Sequence, residues 1–458
     1  MSFLKHDSGL LVLTILLGVA FFLWILTSDL SAFMKGVSSI AILLITGLLI
    51  RSITSAEGWS GFLMFRIKNG IKVIEYGNRK FGKWMDSIAD FGLIFGFGLL
   101  SLKLFKHIST KTFIFSFVLL GVFSLLVAPY ITLIALTTMD IPTLDTDGEA
   151  SSLTAFISLF VLLFTGFAGS VIFGLLMKAS SIIVSLVYFL AGMTSQMNST
   201  PGVSFIIPGI TIPLLEGAIA LLILLIVHEG GHGIAALRAK IKIRSTGFLL
   251  FGFIPVGAFV DINDKSLAKK NVKHRLRVAV AGAASNITTT MVFFIPTMVL
   301  LSALPMFYAD HVIIAGFSRT IEGFNVSADT VIYSINGMEI SSLSDFSGIS
   351  SSIAPNSTAI LATDKGTYEV PTDSAGKMGL YLSQPIKQEY GWLHSLYLIL
   401  ALTTVLNYFV GVINLLPVQA FDGYRILSDS VKDQRIVAVL SYIVLASLLV
   451  NLLPWIWS

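Results

Sequence analysis

Residues 218–232 read Ala-Ile-Ala-Leu-Leu-Ile-Leu-Leu-Ile-Val-His-Glu-Gly-Gly-His, an apolar run that ends in two histidines and a glutamate. Ionisable side chains are costly in lipid and need a partner there. On a helix, His228 and His232 lie on one face and can bind one metal ion, with Glu229 placed to accept a proton from water. The stretch therefore predicts a metal site in an apolar helix. The alternative is a helix end whose polar residues meet the inner membrane interface.

The composition places this helix in a membrane protein. Of 458 residues, 55% are hydrophobic and 12% charged, about half the charged fraction of a globular protein. This excludes a disordered chain, a coiled coil and an ordinary cytosolic enzyme. Apolar runs approaching the length of a membrane span recur, which predicts a polytopic α-helical membrane protein. The runs are 9–27, 37–50, 112–136, 153–177, 182–193, 206–236, 278–304, 392–416 and 436–453, with a short glycine-interrupted run at 91–102 expected to be re-entrant or interfacial.

Charge and cysteine content limit partners and ligands. The net charge of +4 is small and dispersed, which argues against a nucleic-acid partner. There are no cysteines, so a metal must be held by His, Asp, Glu or backbone oxygen. The basic stretch 238–277 is expected on the cytoplasmic side, and the weakly basic 305–390 outside.

These segments predict four regions. They are an N-terminal membrane region (1–193) of no readable role, the first half of a membrane core that contains the two histidines (194–304), a small outer α+β domain (305–390) and the second half of that core (391–458). Strands are expected in the outer domain at 331–335, 338–340, 359–362 and 367–370. Three Asn-x-Ser/Thr sequons begin on the expected outer side, at Asn198, Asn325 and Asn356. With the absence of cysteines, they are compatible with a prokaryotic plasma membrane, archaeal membranes included.

A third metal ligand is expected at Asp422. It is the carboxylate that stands out among the apolar runs, near the helix breakers Pro417 and Gly423. Asp422 lies just before Arg425, near the inner end of its span, and the two histidines lie a few turns before Arg238, so they can meet at similar depth. The alternative is a loop residue at a helix end.

Three motifs together resemble the site-2 protease family of intramembrane zinc metalloproteases. They are His228-Glu229-Gly230-Gly231-His232, the Asn-x-x-Pro…Asp-Gly pattern of 414–423 with Phe421 in place of leucine, and Gly282-Ala283-Ala284-Ser285-Asn286 without the proline that often follows the glycine. The resemblance implies one zinc ion per chain on His228, His232 and Asp422, with Glu229 as the catalytic base. It gives Asn286 a role in positioning substrate or stabilising the tetrahedral intermediate, with a helix–helix hydrogen bond as the alternative. Asn414 and Pro417 would face the substrate path.

Two further segments fit the family. Residues 244–264 resemble its membrane-dipping β-hairpin, which offers an edge strand to an unwound substrate; the alternative is an amphipathic loop. The outer segment resembles a PDZ module through 329–337, although Asp329 stands where a glycine is usual and 316–323 shows no clear carboxylate-binding loop. Such a domain would bind substrate ectodomains or exclude bulky ones.

The sequence thus predicts a zinc endopeptidase that cuts transmembrane segments of other proteins in the bilayer, near the cytoplasmic face. One rival is a metal-ion or proton transporter, which inverted repeats with broken helices would favour; here one HExxH and one Asp-Gly break do not repeat each other. The other is a non-catalytic relative that binds membrane proteins. The sequence names neither substrate nor oligomeric state.

Overall fold

The computed structural model describes residues 8–30, 32–54, 56–139, 152–194, 199–317 and 326–456. Asn198 and Asn325, which begin two of the sequons, and most of 316–323 lie outside these residues. The helices are α1 Ser8–Thr27, α2 Ala32–Ile53, α3 Asn69–Phe97, α4 Ser101–Leu104, α5 Thr110–Leu126, α6 Ala128–Thr138, α7 Ser152–Leu190, α8 Leu214–Arg238, α9 Asp264–Ala268, α10 Val272–Ala303, α11 Leu343–Ser350, α12 Gly391–Ile413, α13 Asp422–Ser430 and α14 Gln434–Leu452. The strands are β1 Glu57–Trp59, β2 Phe62–Ile67, β3 Ile243–Phe251, β4 Ile254–Ile262, β5 Val312–Phe317, β6 Val331–Ile335, β7 Met338–Glu339, β8 Thr358–Thr363, β9 Gly366–Pro371 and β10 Leu380–Ser383.

The chain forms two compact units. One contains residues 1–295 and 398–458, and the other residues 296–397. Among the described residues, eight helices are long and apolar enough to cross a membrane, and α5 and α6 form a further pair bent by 44°. This supports an integral, multi-pass membrane protein.

Three of the expected apolar runs differ from the structure. The run 91–102, expected to be short and re-entrant or interfacial, belongs mostly to the long helix α3, which begins at Asn69. Its glycines serve close packing, because a Cβ on Gly92 would collide with the Cβ of Ala284 in α10. The runs 153–177 and 182–193 are likewise largely one helix, α7, whose break lies earlier, at Gly166 with φ +68°.

A four-stranded antiparallel sheet in the first unit has the order β1-β2-β3-β4. The segment that resembled a hairpin supplies β3 and β4, and β2 from the N-terminal region pairs with β3 from Phe62↔Phe251 to Ile67↔Thr246. Arg66 of β2 reaches across β3, donating to Ser245 Oγ at 2.9 Å and to Asp261 Oδ2 of β4 at 3.0 Å. Residues of the N-terminal region are therefore part of the sheet that contains the hairpin.

The same region is joined to α10 by ion pairs around the buried Asp90. Arg277 of α10 donates two hydrogen bonds to Asp90 of α3, at 2.9 and 2.6 Å, and pairs with Asp86 at 3.1 Å. His107 lies 3.3 Å from the same Asp90 carboxylate. Bidentate guanidinium–carboxylate pairs fix orientation as well as distance. Helix α3 is thus held firmly against α10.

The second unit is a small α+β fold around one antiparallel sheet, with strand order β10-β5-β6-β8-β9 and β7 paired with β6. Strands β6 to β9 lie where the sequence placed strands, whereas β5 and β10 were not anticipated. The core contains Val312, Ile332 and Leu361, all fully buried. Helix α11 begins with a capping box, in which Ser342 and Asp345 satisfy each other's backbone N–H groups.

Candidate metal centre

Helix α8 carries two of the expected ligands on one face. Its apolar residues before position 228 keep the chain helical, so the i, i+4 spacing brings His228 and His232 together. Their Nε2 atoms lie 3.3 Å apart. Both nitrogens can therefore bind a single ion.

Asp422 reaches the same place from a tight turn. Helix α12 ends at Ile413, and the chain folds back so that the N–H of Gly423 donates to Asn414 O at 2.7 Å. Only glycine fits there, because a Cβ on Gly423 would collide with the carbonyl of Leu415. Asp422 is thus the first residue of the separate helix α13, not the inner end of a span as the sequence suggested.

The three ligand atoms have the spacing of a tetrahedral metal site. Asp422 Oδ2 lies 3.5 Å from His228 Nε2 and 3.3 Å from His232 Nε2. Ligand atoms bound to zinc at about 2.05 Å in tetrahedral geometry lie about 3.3 Å apart. Asp422 Oδ2 is buried without a hydrogen-bond partner among the described residues. The residues present fit a zinc ion.

Each imidazole is oriented through its other nitrogen. His232 Nδ1 lies 2.8 Å from the carbonyl of Val278, so it carries the proton and leaves Nε2 free for a metal. His228 Nδ1 lies 3.1 Å from the amide Nδ2 of Asn286, whose Oδ1 is buried without a partner. Rotating that amide by half a turn pairs Oδ1 with a proton on Nδ1 and frees Nε2 of His228.

The site also has room for an ion because of one glycine. A Cβ on Gly282 would lie 2.7 Å from His228 Nε2 and closer still to His232 Nε2. Gly282 is the glycine of the Gly-x-x-x-Asn pattern, one turn before Asn286 in α10. The space between the two imidazoles is therefore open because residue 282 has no side chain.

The remaining expected residues lie around this group in different ways. Glu229 points to β4, where its Oε2 accepts a hydrogen bond of 2.9 Å from the Val260 N–H. Asn414, just past the end of α12, donates to Val410 O of that helix at 3.0 Å, and Pro417 is buried in the turn before Asp422. These contacts give both residues a role in shaping the turn. Sequence reasoning assigned no role to Val278 and Val260, which act through backbone atoms and so carry no side-chain signal.

The comparisons with known proteins concern the part of the chain that contains this site. The model of Peptidase family M50 matches residues 216–453, just over half of the chain, including all three ligand candidates. An uncharacterized protein of Methanocaldococcus jannaschii is 33% identical over 225 residues, which is 48% of this chain and 58% of that protein. The match therefore spans less than two thirds of this relative. The chain belongs to peptidase family M50, the site-2 protease family of membrane metalloproteases.

Proposed function

We propose that the protein is an intramembrane zinc endopeptidase that hydrolyses peptide bonds in the transmembrane segments of other membrane proteins. The observation that carries the proposal is the tetrahedral spacing of His228, His232 and Asp422, with both histidines on a helix long and apolar enough to span a membrane. The fourth position of such a site is available to water or substrate. A structural zinc site would use a fourth protein ligand.

The residues around the site support a water-based hydrolysis. A zinc ion held there would supply Lewis acidity that makes water more acidic and polarises the substrate carbonyl. Glu229 accepts a proton as the water oxygen attacks the carbonyl carbon, and delivers it to the amine nitrogen as the C–N bond breaks. Asn286, bonded to His228, holds that imidazole in the tautomer that can bind the metal.

The substrate must leave its helical conformation before it is cut, because its carbonyl groups are hydrogen-bonded within the helix. The sheet offers replacement partners. Within the described residues, β4 pairs with β3 on one side only, and its other edge is unpaired. An unwound segment adds to that edge as an extended strand. The basic stretch 238–277 favours a cut near the cytoplasmic face.

The first test is zinc content per purified chain, for the wild type and for Asp422→Ala. We expect about one zinc in the wild type and much less in the variant, because two imidazoles alone bind zinc weakly. Asp310→Ala is the matched control, since Asp310 is a highly exposed carboxylate. Equal zinc in Asp422→Ala and wild type would remove Asp422 from the site. No zinc in the wild type would favour the transporter or the non-catalytic relative, which ion flux in proteoliposomes tells apart.

The second test separates metal binding from catalysis. Glu229→Gln keeps the size of the side chain and its contact with β4 but loses the ability to accept a proton. We expect normal zinc content and no cleavage of a tagged single-span protein in proteoliposomes. Glu216→Gln, on the same helix but three turns away, is the control. Cleavage by Glu229→Gln at the wild-type rate would contradict the assignment of Glu229 as the base.

The second unit supports a proposal about partners. A groove of about 520 Å³ lies between α11 and β10, lined by Ser347, Ser350 and Leu380 among others. Strand β10 pairs only with β5 among the described residues, so its other edge can accept an extended peptide. The groove would thus bind the outer segment of a substrate.

A bulky residue in the groove tests this. We expect Ser347→Trp to slow cleavage of a substrate with an outer tail and to leave a tail-less substrate unaffected. Ser344→Trp is the control, because Ser344 is exposed on the same helix but does not line the groove. If instead Ser347→Trp slows neither substrate while bulky ectodomains block cleavage, the unit acts as a steric gate.

A further inference from the structure

The edge of β4 nearest the metal centre is already engaged by the catalytic base. Val260 donates its N–H to Glu229 Oε2 at 2.9 Å. Val260 is opposite Thr246 of β3, and its N–H points away from β3 towards α8. The alternation of a strand gives Ala258 the same direction, because the register from Gly257 to Asp261 is unbroken. These outward N–H groups are the ones that a substrate strand would use.

In the described part of the chain, the sheet has two outer edges, one of β4 and one of the three-residue strand β1, and the edge of β4 is the one that contacts Glu229 of α8. The opposite side of β3 is covered by β2, and β1 covers β2. Arg66 ties the end of β4 to β2 through Asp261. The free edge of β4 is therefore held beside the helix that carries Glu229 and the two histidines, and an added strand would pass along the metal centre.

We propose that the Val260 N–H is the substrate-binding group next to the scissile bond, and that Glu229 occupies it until a substrate carbonyl displaces the carboxylate. The inference rests on the proposed function. One N–H cannot donate a full hydrogen bond to both acceptors, so a carbonyl that pairs with Val260 releases Glu229 Oε2. The freed carboxylate then turns to the attacking water. Strand addition and activation of the base are thereby coupled, and a peptide that stays helical leaves Glu229 engaged.

The coupling predicts how the affinity for a substrate peptide changes when Glu229 is substituted. The probe is a synthetic apolar transmembrane peptide with a central Asn-Gly pair to weaken its helix, labelled for energy transfer and reconstituted in liposomes. Glu229→Gln retains an acceptor oxygen, whereas Glu229→Ala has none. We expect Glu229→Ala to bind the peptide about tenfold more tightly than Glu229→Gln, the factor expected for losing a competing hydrogen bond.

Two proline variants identify the N–H group responsible for the tenfold difference in peptide affinity. Val260→Pro removes the N–H at an edge position that is not used by β3, where proline is tolerated. In this background the Glu229→Ala and Glu229→Gln proteins should bind the peptide equally. Ala258→Pro is the matched control on the same edge: it should weaken binding and preserve the tenfold ratio. Zinc content and melting temperature, measured for every variant, check that the fold is intact.

Cleavage of the same peptide by the wild type separates the protease assignment from the proposed displacement of Glu229. If the wild type cleaves the peptide but Glu229→Ala and Glu229→Gln bind it with equal affinity, the proposed displacement is overturned and the protease assignment stands. A tenfold ratio that persists in Val260→Pro also overturns it, because the competing group is then another one. Absence of both binding and cleavage by the wild type, repeated with several apolar peptides, overturns the proposed function itself.

Discussion

Gly282→Ala should abolish metal binding, although it adds a single methyl group. The new Cβ would lie 2.7 Å from His228 Nε2 and nearer still to His232 Nε2. A bound zinc lies about 2.05 Å from each ligand nitrogen, so the methyl group would take nearly the same space as the ion. Neither ring can move away cheaply, because His232 is held by Val278 O and His228 by Asn286.

The expected loss of zinc affinity exceeds the roughly 10- to 100-fold that follows from removing a partner of a metal-bound histidine, because here the ion's own space is filled. The assay is a competition titration with a zinc-binding dye, on protein stripped by a chelator. Gly230→Ala is the control: it adds the same methyl group within the HExxH sequence, where a Cβ meets nothing within 4 Å. Zinc affinity in Gly282→Ala equal to that of Gly230→Ala would refute the placement of the ion between the two imidazoles.

Two further predictions concern the groups that position the site. Asn286→Leu should weaken zinc binding about 10- to 100-fold by releasing His228, as measured by the same titration. Asn414→Leu, whose side chain bonds to Val410 O at the end of α12 and not to a ligand, should weaken it less, and equal effects would contradict the role of Asn286. Asp90→Asn should destabilise the fold by about 2 kcal/mol, because Arg277 loses its bidentate carboxylate and keeps only the pair with Asp86. The apolar pair Asp90→Leu with Arg277→Met should restore much of this loss. Thermal unfolding in detergent measures both, and an unchanged melting temperature in Asp90→Asn would contradict a stabilising role of this pair.

The candidate metal centre could be anticipated from sequence because two of its expected ligands are neighbours on one helix. The helix spacing of His228 and His232 follows from chain geometry, and the cost of a carboxylate in an apolar run singles out Asp422. The position of Asp422 at the start of a short separate helix could not be predicted from the sequence. It depends on the fold-back of the chain onto Asn414, which is a contact between backbone atoms.

The N-terminal region illustrates the opposite case. The residues of this region indicated no role. Its strand β2 nevertheless pairs with β3, and its Asp90 accepts two hydrogen bonds from Arg277. Strand pairing uses backbone groups that every residue carries, so Phe62–Ile67 contains no sign of which strand it joins. The glycines of 91–102 were interpreted as interruptions, because a sequence does not show that Ala284 lies against Gly92.

Composition and the spacing of neighbouring residues therefore determined the membrane class and the helix that carries His228 and His232, and the rarity of carboxylates in apolar runs singled out Asp422, far along the chain. The tertiary structure alone decided which backbone groups complete the site: the Val278 carbonyl on His232, the Val260 N–H on Glu229 and the space left by Gly282. The physical reason is that nearly every residue carries the same main-chain donor and acceptor. These groups, and the space beside a glycine, acquire a function only from what is packed against them.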